Sequence, residues 1–249
     1  MLNLRTIGVI GKTYRHIKRY RQILAIFFKY GFGNLINALK IDQYLELGLQ
    51  MISKNTLERA EKLTQAEKVR LIFEELGPAF IKLGQILSTR PDLIPIHFTE
   101  ELEKLQDNVP PFSYSEVKQI IDTEFESIEN HFNDFEKQPF AAASIGQVHI
   151  ARLKSNNKKV AVKIQRPGIK KIVKVDLEIM LHLATLMERH IEEAAFFRPV
   201  KIVEEFAETL EKELDYTLEA SNMERVAQQV IFNSTIHIPK VFLEQTWGV

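Results

Sequence analysis

The 249-residue sequence contains no cysteine, which excludes disulfides and thiolate metal centres alike. Nothing in it asks for an oxidising compartment. It also lacks any run of about 18 apolar residues, so no transmembrane helix is expected. The apolar patch Ile23-Leu-Ala-Ile-Phe-Phe28 is too short to span, and it lacks the small-residue cleavage site of a secretory signal. Acidic residues are missing from positions 1–41, which carry eight Lys/Arg. The remainder holds 25 basic against 33 acidic residues, a balance of −8 hidden in a neutral total. What is present is globular: 45% hydrophobic and 27% charged residues, enough for one large or two small domains.

The most informative stretch runs from Pro139 to Ile164. Gln147 to Leu153 carries β-branched Val148 and Ile150, and Val160 to Ile164 alternates around a single lysine, Lys163. Lys154-Ser-Asn-Asn-Lys158 between them is built of turn formers. A lysine inside a buried strand needs an anionic partner, so Lys163 asks for a carboxylate, a phosphate, or both. The small-residue turn Ala141-Ala-Ala-Ser-Ile-Gly146 just upstream offers backbone N–H groups suited to phosphate.

Val160-Ala-Val-Lys163 matches the kinase signature in which a third-strand lysine meets the α/β-phosphates. The loop before it holds one glycine instead of the usual G-x-G-x-x-G. Together with Lys82-Leu-Gly-Gln85 and Glu213-Leu-Asp215, this pattern resembles the atypical kinase-like family associated with ubiquinone biosynthesis, the UbiB/coenzyme-Q kinase-like family. The resemblance runs from about Glu74 onward. It implies an α+β fold: N-terminal helices, then an incomplete protein-kinase-like N-lobe of antiparallel sheet and long helices. The expected divisions are a basic amphipathic region (1–60), a helical extension with the Lys-x-Gly-Gln segment (61–135) and the lobe (136–249).

By that resemblance ATP or ADP is the expected ligand, held by Ala141, Ala142, Ala143, Ser144, Ile145, Gly146, Val148, Ala161 and Lys163. Lys82 and Gln85, three apart on one helical face, are expected to look into the site. Alanines restrict backbone freedom relative to glycines, so the loop should be stiffer and its nucleotide preference altered.

Other elements follow from spacing. Residues 1–50 read as amphipathic helix broken near Gly31-Phe-Gly33. Arg15, Lys18, Arg19 and Arg21 before the apolar patch suit an anionic membrane surface, or else a solvated basic face whose apolar side packs on protein. Thr64-Gln-Ala-Glu67 is a capping box for a helix to Leu76. Gly77-Pro78 separates it from a helix over Phe80–Ser88, and Phe98–Gln106 is another. Ser113 or Ser115 caps a helix to Phe125, and Asn133-Asp134 reads as a turn. A long helix is expected over Ile169–Ala195, with Ile172, Val175, Ile179, Leu183 and Leu186 along its buried stripe. A second is expected over Val200–Phe232. On it Asp215 and Glu219 share a face, with Glu213 roughly 160° from Asp215. Glu219 is assigned to Lys163 and Glu213 to Lys82, and the opposite allocation stays open. Ile236–Glu244 reads as a fourth strand.

H-x-D and D-F-G motifs are absent from the sequence, so the catalytic Asp and the Mg²⁺-binding Asp of a kinase are not found in it. The expectation is a fragment, or a truncated product, that is inactive alone. Mg²⁺ is expected only in a full-length protein. The expected partners are nucleotide, an anionic membrane surface or isoprenoid lipid, and quinone-biosynthesis proteins, without nucleic acid. The expected location is cytoplasmic and peripheral at the inner face of a membrane. A non-catalytic membrane-surface scaffold is the alternative.

Overall fold

The computed structural model describes residues 14–41, 62–105, 110–233 and 235–242. The first stretch forms α1 (Tyr14–Lys29) and α2 (Gly33–Ala38), parted at Gly31, whose φ of 85° suits glycine. Next come α3 (Gln65–Leu76), α4 (Pro78–Ser88) and α5 (Ile96–Leu102). The capping box forms as the sequence implies. Thr64 accepts the Glu67 N–H, and the Glu67 carboxylate accepts the Thr64 N–H at 2.7 Å. Gly77, at φ 92°, ends α3, and Pro78 opens α4.

The four predicted basic surface residues of α1 include one that turns inward. Arg19 donates to Asp176 through Nε (2.6 Å) and Nη2 (2.9 Å), and Nη2 also donates to the Leu76 carbonyl at 2.6 Å. The Asp176 side chain is 0% exposed. Burial pushes its carboxyl up from the usual carboxylate range, and Arg19 opposes that shift. The apolar side of α1 is also covered: Tyr20, Ile23, Leu24, Ile26 and Phe28 lie in the main core. The membrane-facing reading of this patch is therefore corrected, because protein and not lipid buries it. The rest of residues 1–50 lies outside the described residues.

Ser113, not Ser115, caps α6 (Tyr114–Phe125), with Glu116 completing a second capping box. A short α7 (Ile128–His131) leads straight into β1 (Phe132–Phe135), so the expected turn at Asn133-Asp134 is a strand with a bulge. β2 (Ala141–Ala142), β3 (Gly146–Leu153) and β4 (Lys159–Gln165) complete an antiparallel sheet. β1 and β2 share one edge of β3: β1 pairs near Leu153 and β2 near Val148. β4 takes the other edge, with Val148 opposite Lys163. α6, α7 and one face of the sheet enclose a second core around Val117, Ile121, Phe132, Leu153 and Ile164.

α8 (Ile169–His190) is shorter than expected and is followed by α9 (Glu192–Phe196). Its buried face is Ile169, Val173, Asp176, Leu177, Met180 and Ala184, with Ile179 alongside, while Ile172 is exposed. Of the expected stripe, Ile179 is buried and Val175, Leu183 and Leu186 pack against the core; the stripe missed Asp176, a carboxylate at the centre of the buried face. The second expected long helix is two: α10 (Pro199–Glu213) and α11 (Tyr216–Gln229). Asp215 is the N-cap between them, accepting the N–H groups of Thr217 (3.0 Å) and Leu218 (3.1 Å). Ile236–Phe242 is irregular, so the described part of the expected fourth strand is not one. Its continuation, and the turn at 245–249, lie outside the described residues.

Removing one partner of a buried charge pair strands the other, which costs about 3–5 kcal/mol. Asp176→Ala and Arg19→Ala are each expected to destabilise the fold by that amount in a urea melt, and Arg21→Ala, on the exposed side of α1, by less than about 0.5 kcal/mol. A methyl at Gly84 would lie 2.2 Å from Leu105 Cδ1 and 2.8 Å from Phe73 Cδ2. Gly84→Ala is expected to cost about 1–3 kcal/mol by overpacking, read from the same melt.

Candidate functional site

A cavity of about 850 Å³ opens between the sheet and α11. Its floor and roof come from separate elements: Ala141, Ala142, Ala143, Ile145, Gly146, Gln147 and Val148 from the sheet and loop, Lys163 from β4, and Lys82 from α4. α10 and α11 add Thr209, Lys212, Glu213, Tyr216, Leu218, Glu219, Met223 and Val226. Three lysines, Lys82, Lys163 and Lys212, face two glutamates among these residues. The excess positive charge suits an anion, and the apolar remainder suits a flat ring system.

Lys163 Nζ donates to Glu219 Oε2 at 2.6 Å. The same nitrogen lies 4.4 Å from the centroid of the Tyr216 ring. Lys82 Nζ sits 3.0 Å from Glu213 Oε2 as an ion pair, without hydrogen-bond alignment. The carboxylates thus take the allocation assigned to them, though not for the helical reason given. Glu213 and Glu219 lie on different helices, and Asp215 between them is spent on capping α11. Asp215 is not among the cavity-lining residues. Hydrogen bonds from Thr217 and Leu218 hold its carboxyl below the usual carboxylate range.

Lys163 is not the interior lysine expected. Its side chain is 42% exposed and that of Glu219 46%. Alternation along β4 turns Lys163 away from the second core and into an open cavity. A pair this wet contributes about 0–1 kcal/mol to stability, so its significance is positional.

Three more expected site residues fall elsewhere. Gln85 donates its Nε2 to the Leu105 carbonyl at 2.8 Å and is not in the cavity lining. Ala161, two residues before Lys163 on the same strand face, lies beyond the cavity. Ser144 is fully buried, and its hydroxyl has no hydrogen-bond partner, so it does not present its oxygen to a ligand.

The alanine loop has a simple geometry. None of residues 141–146 has positive φ, so alanine meets the backbone demand that glycine is usually chosen for. The Ala143 N–H closes a tight turn on the Gly146 carbonyl at 2.8 Å. Gly146 is glycine for space: a Cβ there would lie 2.4 Å from Tyr216 Oη and 2.6 Å from the Ile164 carbonyl oxygen. Sequence reasoning passed over several lining residues, among them Tyr216 and Lys212 and the apolar Leu218, Met223 and Val226. The signal for Tyr216 was available, since it stands three residues before Glu219 and so shares its helical face.

An antiparallel sheet carrying a paired lysine, with the glutamate supplied by a following helix, defines a kinase-like N-lobe. The comparison with known proteins agrees. Residues 104–247 match the ABC1 atypical kinase-like domain, and the chain belongs to that family. It is 37% identical over 232 residues to a "Probable protein kinase UbiB" of Aliivibrio fischeri, covering 92% of this chain and 42% of that relative. A protein of the same name from Aeromonas hydrophila is 36% identical over 236 residues, covering 93% and 42%. One from Shewanella piezotolerans is 36% identical over 233 residues, again covering 93% and 42%. The chain thus spans about two-fifths of the length of these relatives.

Burial, and then the Glu219 and Glu213 carboxylates, push the Tyr216 hydroxyl up to about 12. An unfolded tyrosine ionises near pH 10. Between about pH 10 and 12 the unfolded state therefore loses a proton that the folded state keeps, and stability falls. Titration of tyrosinate absorbance is expected to show a late step that vanishes in Tyr216→Phe, and the alkaline loss of stability should be smaller in that variant.

Proposed function

We propose that this chain is the nucleotide-clamping part of an atypical kinase-like protein, binding ATP or ADP in the cavity beside Lys163. The observation that supports it most is the Lys163–Glu219 contact at 2.6 Å at the mouth of the alanine loop. An ammonium held by one carboxylate keeps N–H donors for phosphate oxygens. The apolar side chains of Val148, Leu218, Met223 and Val226 supply a surface for the base. In this reading residues 61–135 bring Lys82 to the cavity, and 136–249 form the lobe. Glu213 and Glu219 are each engaged by a lysine, so these residues do not fit Mg²⁺. Metal binding and phosphoryl transfer are proposed only for a protein of the relatives' length.

The family name carries the wider proposal: support of ubiquinone or related isoprenoid-lipid biosynthesis with other proteins of that process, at the inner face of a membrane. Among the described residues no helix is long and apolar enough to cross a membrane. With the apolar side of α1 buried, peripheral contact rests on exposed basic residues such as Lys18 and Arg21.

Calorimetry with ATP and ADP tests the central reading. Charge-assisted hydrogen bonds are worth about 1.5–3 kcal/mol, so Lys163→Ala is expected to weaken binding roughly ten- to a hundredfold. Absence of binding by the parent sinks the reading. Ala142→Gly is expected to shift the preference between ATP and ADP, and unchanged affinities would remove the loop from the argument. Flotation with anionic vesicles is expected to fall in Lys18→Glu/Arg21→Glu; equal flotation refutes the membrane contact.

A further inference from the structure

We propose that Tyr216 is the positioning residue of this site, its ring face holding the Lys163 ammonium where nucleotide phosphates meet it. The proposal rests on the nucleotide reading above. Tyr216 has little freedom. The side chain of Gln165, two residues past Lys163, donates to the Leu214 carbonyl at 2.9 Å. That bond ties the break before α11 to the end of β4. Asp215 then caps α11, and Tyr216 is its first residue. The hydroxyl end of the ring is buried against Gly146, in a gap too small for one methyl group.

A ring fixed at both ends lies under Lys163, with 4.4 Å from Nζ to the centroid. Glu219, three residues on, reaches the same nitrogen at 2.6 Å. Two different attractions therefore confine one ammonium. The distinction matters chemically. A second carboxylate would hold the lysine but cancel the charge that phosphate needs. A π face attracts the cation through its quadrupole and leaves the N–H donors and net charge available. Without it, a flexible side chain that is 42% exposed would be held by one solvent-exposed carboxylate alone.

The hydroxyl plays no part in this. It is buried, finds no hydrogen-bond partner and stays neutral well above neutral pH. The ring alone is the functional group, which makes the proposal separable from simple packing.

Two measurements on the 249-residue chain decide it. In ligand-free protein, ¹H–¹³C spectra are expected to show the Lys163 ε-methylene protons displaced by the ring current. The displacement should persist in Tyr216→Phe and be lost in Tyr216→Met. In ATP titrations, Tyr216→Met, which fills the space without a π face, is expected to weaken binding roughly two- to tenfold. Tyr216→Phe should restore the parent affinity. Parent-like affinity in Tyr216→Met reduces the ring to packing and overturns the proposal. So does a Lys163 ε-methylene shift that Tyr216→Met leaves unchanged. A parent that binds no ATP while keeping the ring-current displacement overturns the nucleotide reading instead, so the two failures are read apart.

Discussion

The site depends on one contact made across 56 residues of chain, the ion pair of Lys163 with Glu219. Neither residue is buried deeply enough for the pair to hold the fold together. The fold holds the pair. β4 must alternate so that Val160 and Val162 face the second core and Lys163 the cavity. α8 and α10 must then carry the chain away and back before α11 presents its glutamate. The interruption at Leu214-Asp215 is the decisive local feature. An unbroken helix from 199 to 229 would fix the relative placement of Glu213 and Glu219 by helix geometry alone. The Asp215 cap restarts the helix after the break, with Glu213 at the end of α10 meeting Lys82 and Glu219 on α11 meeting Lys163.

The helical layer is part of this arrangement. α4 carries Lys82, and it packs between α3, α5 and α8 through Ala79, Phe80, Ile81 and the space kept by Gly84. α3 is in turn tied to α1 and α8 by Arg19, which links the Leu76 carbonyl to Asp176. The basic N-terminal helix is thus joined, through buried contacts, to the segment that closes the cavity. Its charge invites a surface reading, but its apolar side and one arginine are committed to the interior.

Much of the sheet was legible in sequence because two signals coincided there. Turn formers at 154–158 separated two alternating apolar runs, and β3 and β4 lie within one residue of the expected bounds. The capping boxes at Thr64 and Ser113 were readable for the same reason, since the motif is itself the local structure. The errors share a different cause. Asp176 interrupts an apolar stripe yet sits at its centre, because its partner Arg19 lies 157 residues away. Asp215 looked like a site carboxylate because capping and cation binding draw on the same residue type. Ser144 looked like a phosphate ligand because composition does not say which way a loop side chain points.

The sequence by itself determined what is local: where strands and capped helices form, that the loop is alanine-built, and which lysine and glutamates are available for chemistry. These follow from turn chemistry, periodicity and spacing within a few residues. Only the tertiary structure decided which charges are buried, that Tyr216 lies under Lys163, and that Gly146 is needed for room and not for backbone freedom. Those outcomes depend on surfaces brought together from distant parts of the chain, where exposure and packing distance are properties of the assembled core and of no single segment.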